Sequence, residues 1–194
     1  MDPVGTNALA YDVNFRFAEP YVSEKVFWGC YGRTGIMAPK VQLPFPCETR
    51  LSDVAPDTGE SAGTLSAKPA PDASKPPILP PEDGHLVLDK AGFRAAFAAD
   101  VDPAVAAFMA DSQTPWGLKA ASGTIKHPAW QDKPAWYIVA KDDKMIPPSL
   151  QHSMAERAHA ETTELVGSHA IYVSQPKAVA GVIEEAALKA GEAK

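Results

Sequence analysis

Only two cysteines, Cys30 and Cys47, occur in 194 residues. They allow at most one disulfide, make no metal-ligand spacing, and point to no oxidising compartment. Long apolar runs are missing too: none approaches the ~18 residues that would cross a bilayer. The opening MDPVGTNALAYDV has neither a basic stretch nor an apolar core, so no signal peptide is expected and the expected location is cytoplasmic. Basic clusters are also lacking. With 18 Lys and Arg against 24 Asp and Glu, the net charge of -6 argues against nucleic-acid and anionic-membrane partners.

What is present suits a globular domain, since a hydrophobic content of 45% is enough for a real core at this length. Three zones follow one another. Residues 1–53 form an atypical segment, in which FWGCYGRTGIMAPKVQLPFPCE mixes aromatics, glycine and proline without helical or alternating period. EKVFW alone reads there as a short strand. Residues 54–86 form a proline-rich connection, TLSAKPAPDASKPPILPPEDG, expected to be extended and surface-lying because proline fixes φ and removes donors.

From residue 87 to 194 the signals are regular. LDKAGFRAAFAADV predicts a helix capped by Asp89 with Phe93 and Phe97 on one face, and Asp102 with Pro103 starts another. AWYIVA (135–140) predicts a buried strand, bounded by Pro134 and the polar KDD. PSLQHSMAERAHA predicts a helix with Leu150, Met154 and Ala158 on one face, and TTELV (162–166) a second strand. SQPKAVAGVIEEAALKAG closes the chain as a helix, with Ser174 as its expected N-cap and Gly191 beyond its end. A helical insert followed by strand, helix, strand, helix is the end of a doubly wound α/β sheet.

In such sheets the reacting groups sit in loops at the carboxyl ends of the strands. Two loops qualify: KDDKMIPP, with Asp142 and Asp143, and GSHA, with His169. A carboxylate bonded to one imidazole nitrogen orients the ring and leaves the other nitrogen as a base. His152 and His159 lie seven apart and read as solvated helix surface, and His85 and His127 as loop residues without partners. Neither a metal nor a cofactor is expected.

Residues 128–187, from PAWQDKPAWYIVAKDDKMIPPSLQHSMAERAHAETTELVGSHAIYVSQP through the closing helix, together with APDTGES, FRAAFAADV and MADSQTP upstream, resemble the α/β-hydrolase superfamily in its small bacterial esterase and hydroxynitrile-lyase-like branch. The likeness covers about residues 54–190. It implies an α/β class protein with an incomplete α/β-hydrolase fold: cap helices plus the last strands and helices of the sheet, behind an irregular N-terminal segment. It also implies that Asp143 is the triad acid with Asp142 its surface neighbour, that His169 is the triad histidine, and that Gln113 faces the substrate pocket from the cap.

The family attacks through a serine in a G-x-S-x-G elbow on a strand-to-helix turn; GESAG (59–63) has that spacing but no apolar strand run leads into it, and an H-G-type oxyanion loop is absent. Cys30, in VFWGCYGR, is the candidate nucleophile, because a thiolate can serve in such elbows. Trp28 stands where the first elbow glycine would be, and the three prolines of RTGIMAPKVQLPFP oppose a long following helix. Ser61, Ser66 and Ser168 have no elbow context, and Ser168, adjacent to His169, is expected to point away from it.

Three functions are compatible with these residues. The first is esterase-type hydrolysis of a small ester or amide. The second is a truncated or degenerate hydrolase without catalysis, self-associating through an unpaired sheet edge. The third is an interaction module using the cap and the proline-rich segment, with KPPILPP (residues 75–81) suited to polyproline recognition.

Overall fold

The computed structural model describes residues 52–192. The expected strand EKVFW and both cysteines lie outside them. In chain order the elements are α1 (Ala62–Ser66), β1 (His85–Leu86), α2 (Lys90–Phe97), α3 (Pro103–Asp111), β2 (Trp116–Gly117), α4 (Leu118–Ser122), a 3-10 turn (Ala129–Gln131), β3 (Trp136–Ala140), α5 (Pro148–Arg157), β4 (Glu161–Leu165), α6 (Ile171–Ser174) and α7 (Pro176–Glu192).

The β3–α5–β4 unit is the frame. The two strands are parallel and pair from Trp136 with Glu161 to Ala140 with Leu165. A parallel pair needs a crossover, and α5 provides it. β3 ends in Val139 and Ala140, both buried, whereas β4 (ETTEL) turns Glu161, Thr162 and Glu164 to solvent. Lys141 reaches Glu164 at 3.1 Å and Lys189 reaches Glu161 at 2.5 Å, so β4 presents a charged outer face. Among the described residues β3 and β4 pair only with each other.

Helix α5 buries Leu150, Gln151, Met154 and Ala155. Leu150 and Met154 pack with Val54, Ala62 and Leu65, in a cluster where each large apolar side chain is worth ~2–3 kcal/mol of burial. The start of the proline-rich segment is therefore folded rather than extended. Val54 is in the core, and α1 begins with a capping box in which Ser61 and Thr64 satisfy each other's backbone N–H. Further along, Asp72 accepts from the Ser149 backbone N–H at 3.0 Å and from its hydroxyl, capping α5 from a distant segment. Those two bonds, the hydroxyl's first, hold the Asp72 carboxyl below its ordinary pKa.

The second cluster joins Phe93, Ala98, Val101, Ala106, Ala110 and Ala170, tying α2 and α3 to the segment after β4. Asp89 and Asp102 cap these helices as expected, Asp102 accepting from both Ala104 and Val105 N–H groups. Pro77 lies against Gly92, where a Cβ would come within 2.8 Å, so only glycine lets the proline-rich strand run this close.

Several boundaries differ from expectation. The second strand starts and ends one residue earlier than TTELV. Helix α5 stops at Arg157, and His159 follows it in the left-handed region (φ 49), so His152 and His159 do not share a helix face. Ser174 belongs to α6 and does not cap α7, which starts at Pro176 after Gln175 and runs through Gly191. His85 and His127 do have partners: the Asp83 carbonyl at 2.9 Å and the Asp132 carboxylate at 2.6 Å. No described helix is long and apolar enough to cross a membrane.

Candidate active site

Because β3 and β4 are parallel and in register, both end at one level. The ladder continues beyond them, with Lys141 N–H donating to the Leu165 carbonyl at 2.9 Å and Asp142 N–H to the Gly167 carbonyl at 3.0 Å. The two loops are thus stitched together before either side chain is considered.

Asp143 is the buried member of its pair, while Asp142 is exposed. One carboxylate oxygen, Oδ1, accepts from the N–H groups of Met145 (2.7 Å) and Ile146 (3.0 Å), which turns the chain toward α5. The other, Oδ2, accepts from His169 Nδ1 at 2.9 Å and from Gln151 Nε2 at 3.1 Å. Four N–H groups therefore satisfy a side chain that is only 5% exposed, which is what a buried carboxylate requires.

Gln151 is fixed in turn. Its Oε1 accepts from Ala140 N–H at 3.0 Å, and its Nε2 also donates to the Ile146 carbonyl at 2.7 Å. It spans the end of β3, the Asp143 carboxylate and the turn into α5. The sequence reading missed it, although the signal was present: a polar residue sits in the apolar stripe of Leu150, Met154, Ala155 and Ala158.

His169 is 13% exposed. Its loop is docked on the end of α2. Ala170 N–H donates to the Phe97 carbonyl at 2.8 Å, and the Phe97 ring meets the imidazole edge-on with centroids 4.6 Å apart. The Ser168 hydroxyl donates to Asp100 and to the Phe97 carbonyl at 3.3 Å. A Cβ on Gly167 would lie 2.8 Å from Ile171 and 2.9 Å from Asp100, so this turn admits only glycine without rearrangement.

With Nδ1 donating to Asp143, the neutral ring keeps its lone pair on Nε2, and no described residue bonds that atom. Burial is the largest influence on the ring and opposes its protonation. The hydrogen bond and charge of Asp143, joined by the charge of Asp53, outweigh it and raise the His169 pKa above the ordinary 6.5. Burial, with Asp53 adding to it, also pushes the hydroxyls of Tyr137 and Tyr172 up, so both stay protonated. The Tyr137 hydroxyl donates to the Asp53 carbonyl at 3.3 Å, which places the beginning of the described chain beside the site.

Not every expected residue joins this group. Gln113 donates to the carbonyls of Leu88 and Ala110 and accepts from Leu88 N–H, so its amide is committed to bracing the end of α3 against the start of α2. The shallow concavity it lines with Leu79, Val87 and Asp111 contains neither His169 nor Asp143. Ser61 is a helix cap, and Ser66 donates to the Ala62 carbonyl at 2.9 Å. Cys30 lies outside the described residues. Among the described residues no three His, Cys, Asp or Glu side chains converge as a metal would need.

The family model described as "Alpha/beta hydrolase family" matches residues 14–182, beginning well upstream of residue 54. No curated protein matches the chain. Among solved structures it is similar to a histidine-to-alanine variant of PytH, with 24% identity and a TM-score of 0.57 over 72% of this chain and 59% of that one. It is also similar to a pyrethroid hydrolase from Sphingobium faniae JZ-2, with 24% identity and a TM-score of 0.53 over 68% of this chain and 56% of that one. A variant of polyneuridine aldehyde esterase matches at 16% identity and a TM-score of 0.50, over 67% of this chain and 57% of that one. At these identities the likeness is one of fold, and the chain spans less than two thirds of the length of each structure.

Proposed function

This chain belongs to the α/β-hydrolase family, and on that premise we propose that His169 and Asp143 are the base and acid of an esterase-type acyl-transfer site for a small ester or amide. The observation that carries the reading is the 2.9 Å bond from His169 Nδ1 to an Asp143 carboxylate held by three further N–H groups. The solved structures of similar fold named as a pyrethroid hydrolase and a polyneuridine aldehyde esterase support an ester as the substrate class.

His169 Nε2 takes the proton of the nucleophile as it attacks the carbonyl carbon. The imidazolium that results is stabilised by the Asp143 side chain bonded to Nδ1. When the tetrahedral intermediate collapses, Nε2 returns the proton to the departing alkoxide or amine. Water then repeats the sequence on the acyl-enzyme, with the same nitrogen as base. Phe97 and the buried loop keep the ring in place through both proton transfers.

The nucleophile is the open position, for which Cys30 is the nominee. A second reading, a hydrolase site without turnover, is favoured by one observation: Ser61, Ser66 and Ser168 all spend their hydroxyls on other partners. The test is intact-mass analysis and peptide mapping after exposure to a short activated ester, beside a His169→Ala control. An acyl adduct on one residue, lost in the control, supports the esterase and names its nucleophile. A folded sample with no His169-dependent adduct supports the second reading.

A further inference from the structure

We propose that Asp100 is a positioning residue, a bracket that holds both ends of the segment carrying His169 and so sets the ring against Asp143. The proposal deepens the reading of His169 as the base and rests on it.

Asp100 stands in the connection between α2 and α3. One of its carboxylate oxygens accepts from the hydroxyl of Ser168, the residue immediately before His169, and that serine is 1% exposed. The other accepts from the hydroxyl of Ser174, at the end of α6, at 2.7 Å. Residues 168 and 174 enclose the histidine and its helical turn, so a single carboxylate spans the segment at both ends. Burial works against its charge, but the bonds from Ser168 and Ser174 prevail and hold the pKa of Asp100 below the ordinary value. The carboxylate is therefore ionised near neutrality, which makes these charge-assisted hydrogen bonds.

Stability of the junction comes largely from elsewhere. Ala98, Val101 and Ala170 already pack the α2–α3 connection onto this segment through apolar contact. Apolar packing is non-directional, whereas a hydrogen bond of 2.9 Å from ring to carboxylate needs angular precision. The Asp100 bracket supplies direction: it fixes where the loop sits along the end of α2, and Phe97 on the same stretch meets the imidazole edge-on. Absent the bracket, the loop keeps its apolar contacts and the Ala170 N–H bond to the Phe97 carbonyl, and the imidazole loses part of its alignment with Asp143.

The experiment follows the His169 titration by NMR in the full chain, with His169→Ala to assign the signal, for the wild type and for Ser168→Ala, Asp100→Ala and Asp100→Asn. The charges acting on the ring are Asp143 and Asp53, and Ser168→Ala alters neither. Loosening the bond to Asp143 lowers the His169 pKa by roughly one pH unit in Ser168→Ala and Asp100→Ala. Asp100→Asn, whose amide oxygen still accepts from one serine, falls between them and the wild type. An unchanged titration in folded Ser168→Ala overturns the proposal, as does a shift confined to the Asp100 variants, which would report only a lost charge. Ser174→Ala removes the second bond at a half-buried position and takes the place of any variant that does not fold. An absent acyl adduct defeats the esterase reading, and an unmoved titration defeats the bracket, so the two failures are separable.

Discussion

The two members of the pair are held by opposite means. Asp143 is fixed locally: every group that bonds its carboxylate except His169 lies between Met145 and Gln151, on the turn and helix that follow it. His169 is fixed from afar, by Phe97 and Asp100 some seventy residues earlier in the chain. The placement of Asp143 is thus a property of one β–α unit. The placement of His169 is a property of how α2 and α3 sit on that unit. A local device survives changes elsewhere, whereas a long-range one is lost whenever the two layers shift.

The largest effect expected is at the contact between the two sides. Asp143→Asn keeps the shape but no longer stabilises the imidazolium, so acyl transfer should fall by about 10⁴-fold. Its pH dependence should move as well. In the wild type the base works only when neutral, so the rate rises with pH through an apparent pKa above 6.5, the direction in which Asp143 pushes the ring. In Asp143→Asn burial is opposed much less, and the limb moves to lower pH. Stability carries the opposite sign. Folded His169 binds its proton more tightly than the unfolded chain does, so its contribution is complete below about 6.5 and is lost as pH rises through the folded pKa. Urea midpoints across that window check this, and the slope should shrink in Asp143→Asn.

The next effect isolates the local side. Gln151→Met should cost about 2–3 kcal/mol, because Ala140 N–H and the Ile146 carbonyl lose their partner in a buried site. Denaturant unfolding measures it, and a loss under about 0.5 kcal/mol would mean that other groups fill the gap. Gly167→Ala tests the distant side. A Cβ 2.8 Å from Ile171 and 2.9 Å from Asp100 forces the loop outward, at about 1–3 kcal/mol. The smallest effect lies outside both: Asp72→Ala removes the cap of α5 and should cost about 1 kcal/mol by thermal unfolding, with the His169 titration unmoved.

The same contrast explains how much was legible in the sequence. The strand ends, the loops they carry and the capped helices α2 and α3 could be read, because apolar runs bounded by proline or charge, and Asp before a helical pattern, are local signals. The end of the second strand could not. Val166 extends the apolar pattern, yet β3 has ended opposite Leu165 and Val166 is 68% exposed. Ser174 read as a cap because nothing nearby shows that its hydroxyl belongs to Asp100. Asp100 itself was invisible for the same reason: beside Asp102, which carries an ordinary cap signature, it has no distinguishing pattern. Gln113 was expected in a pocket and is a backbone brace, a role set by Leu88 across the helix pair. Nothing local in KDDK separates Asp143 from Asp142; only the resemblance names one of them, and the fold brings Asp143 to the imidazole.

On the proposed reading, His169, oriented by Asp143, moves the proton in acyl transfer. The most direct measurement is the rate of acyl-adduct formation from a short activated ester as a function of pH, in the wild type, Asp143→Asn and His169→Ala. The rate should climb through an apparent pKa above 6.5 in the wild type, be slower with its limb at lower pH in Asp143→Asn, and give no adduct in His169→Ala. An adduct forming at the same rate in all three proteins would contradict that reading.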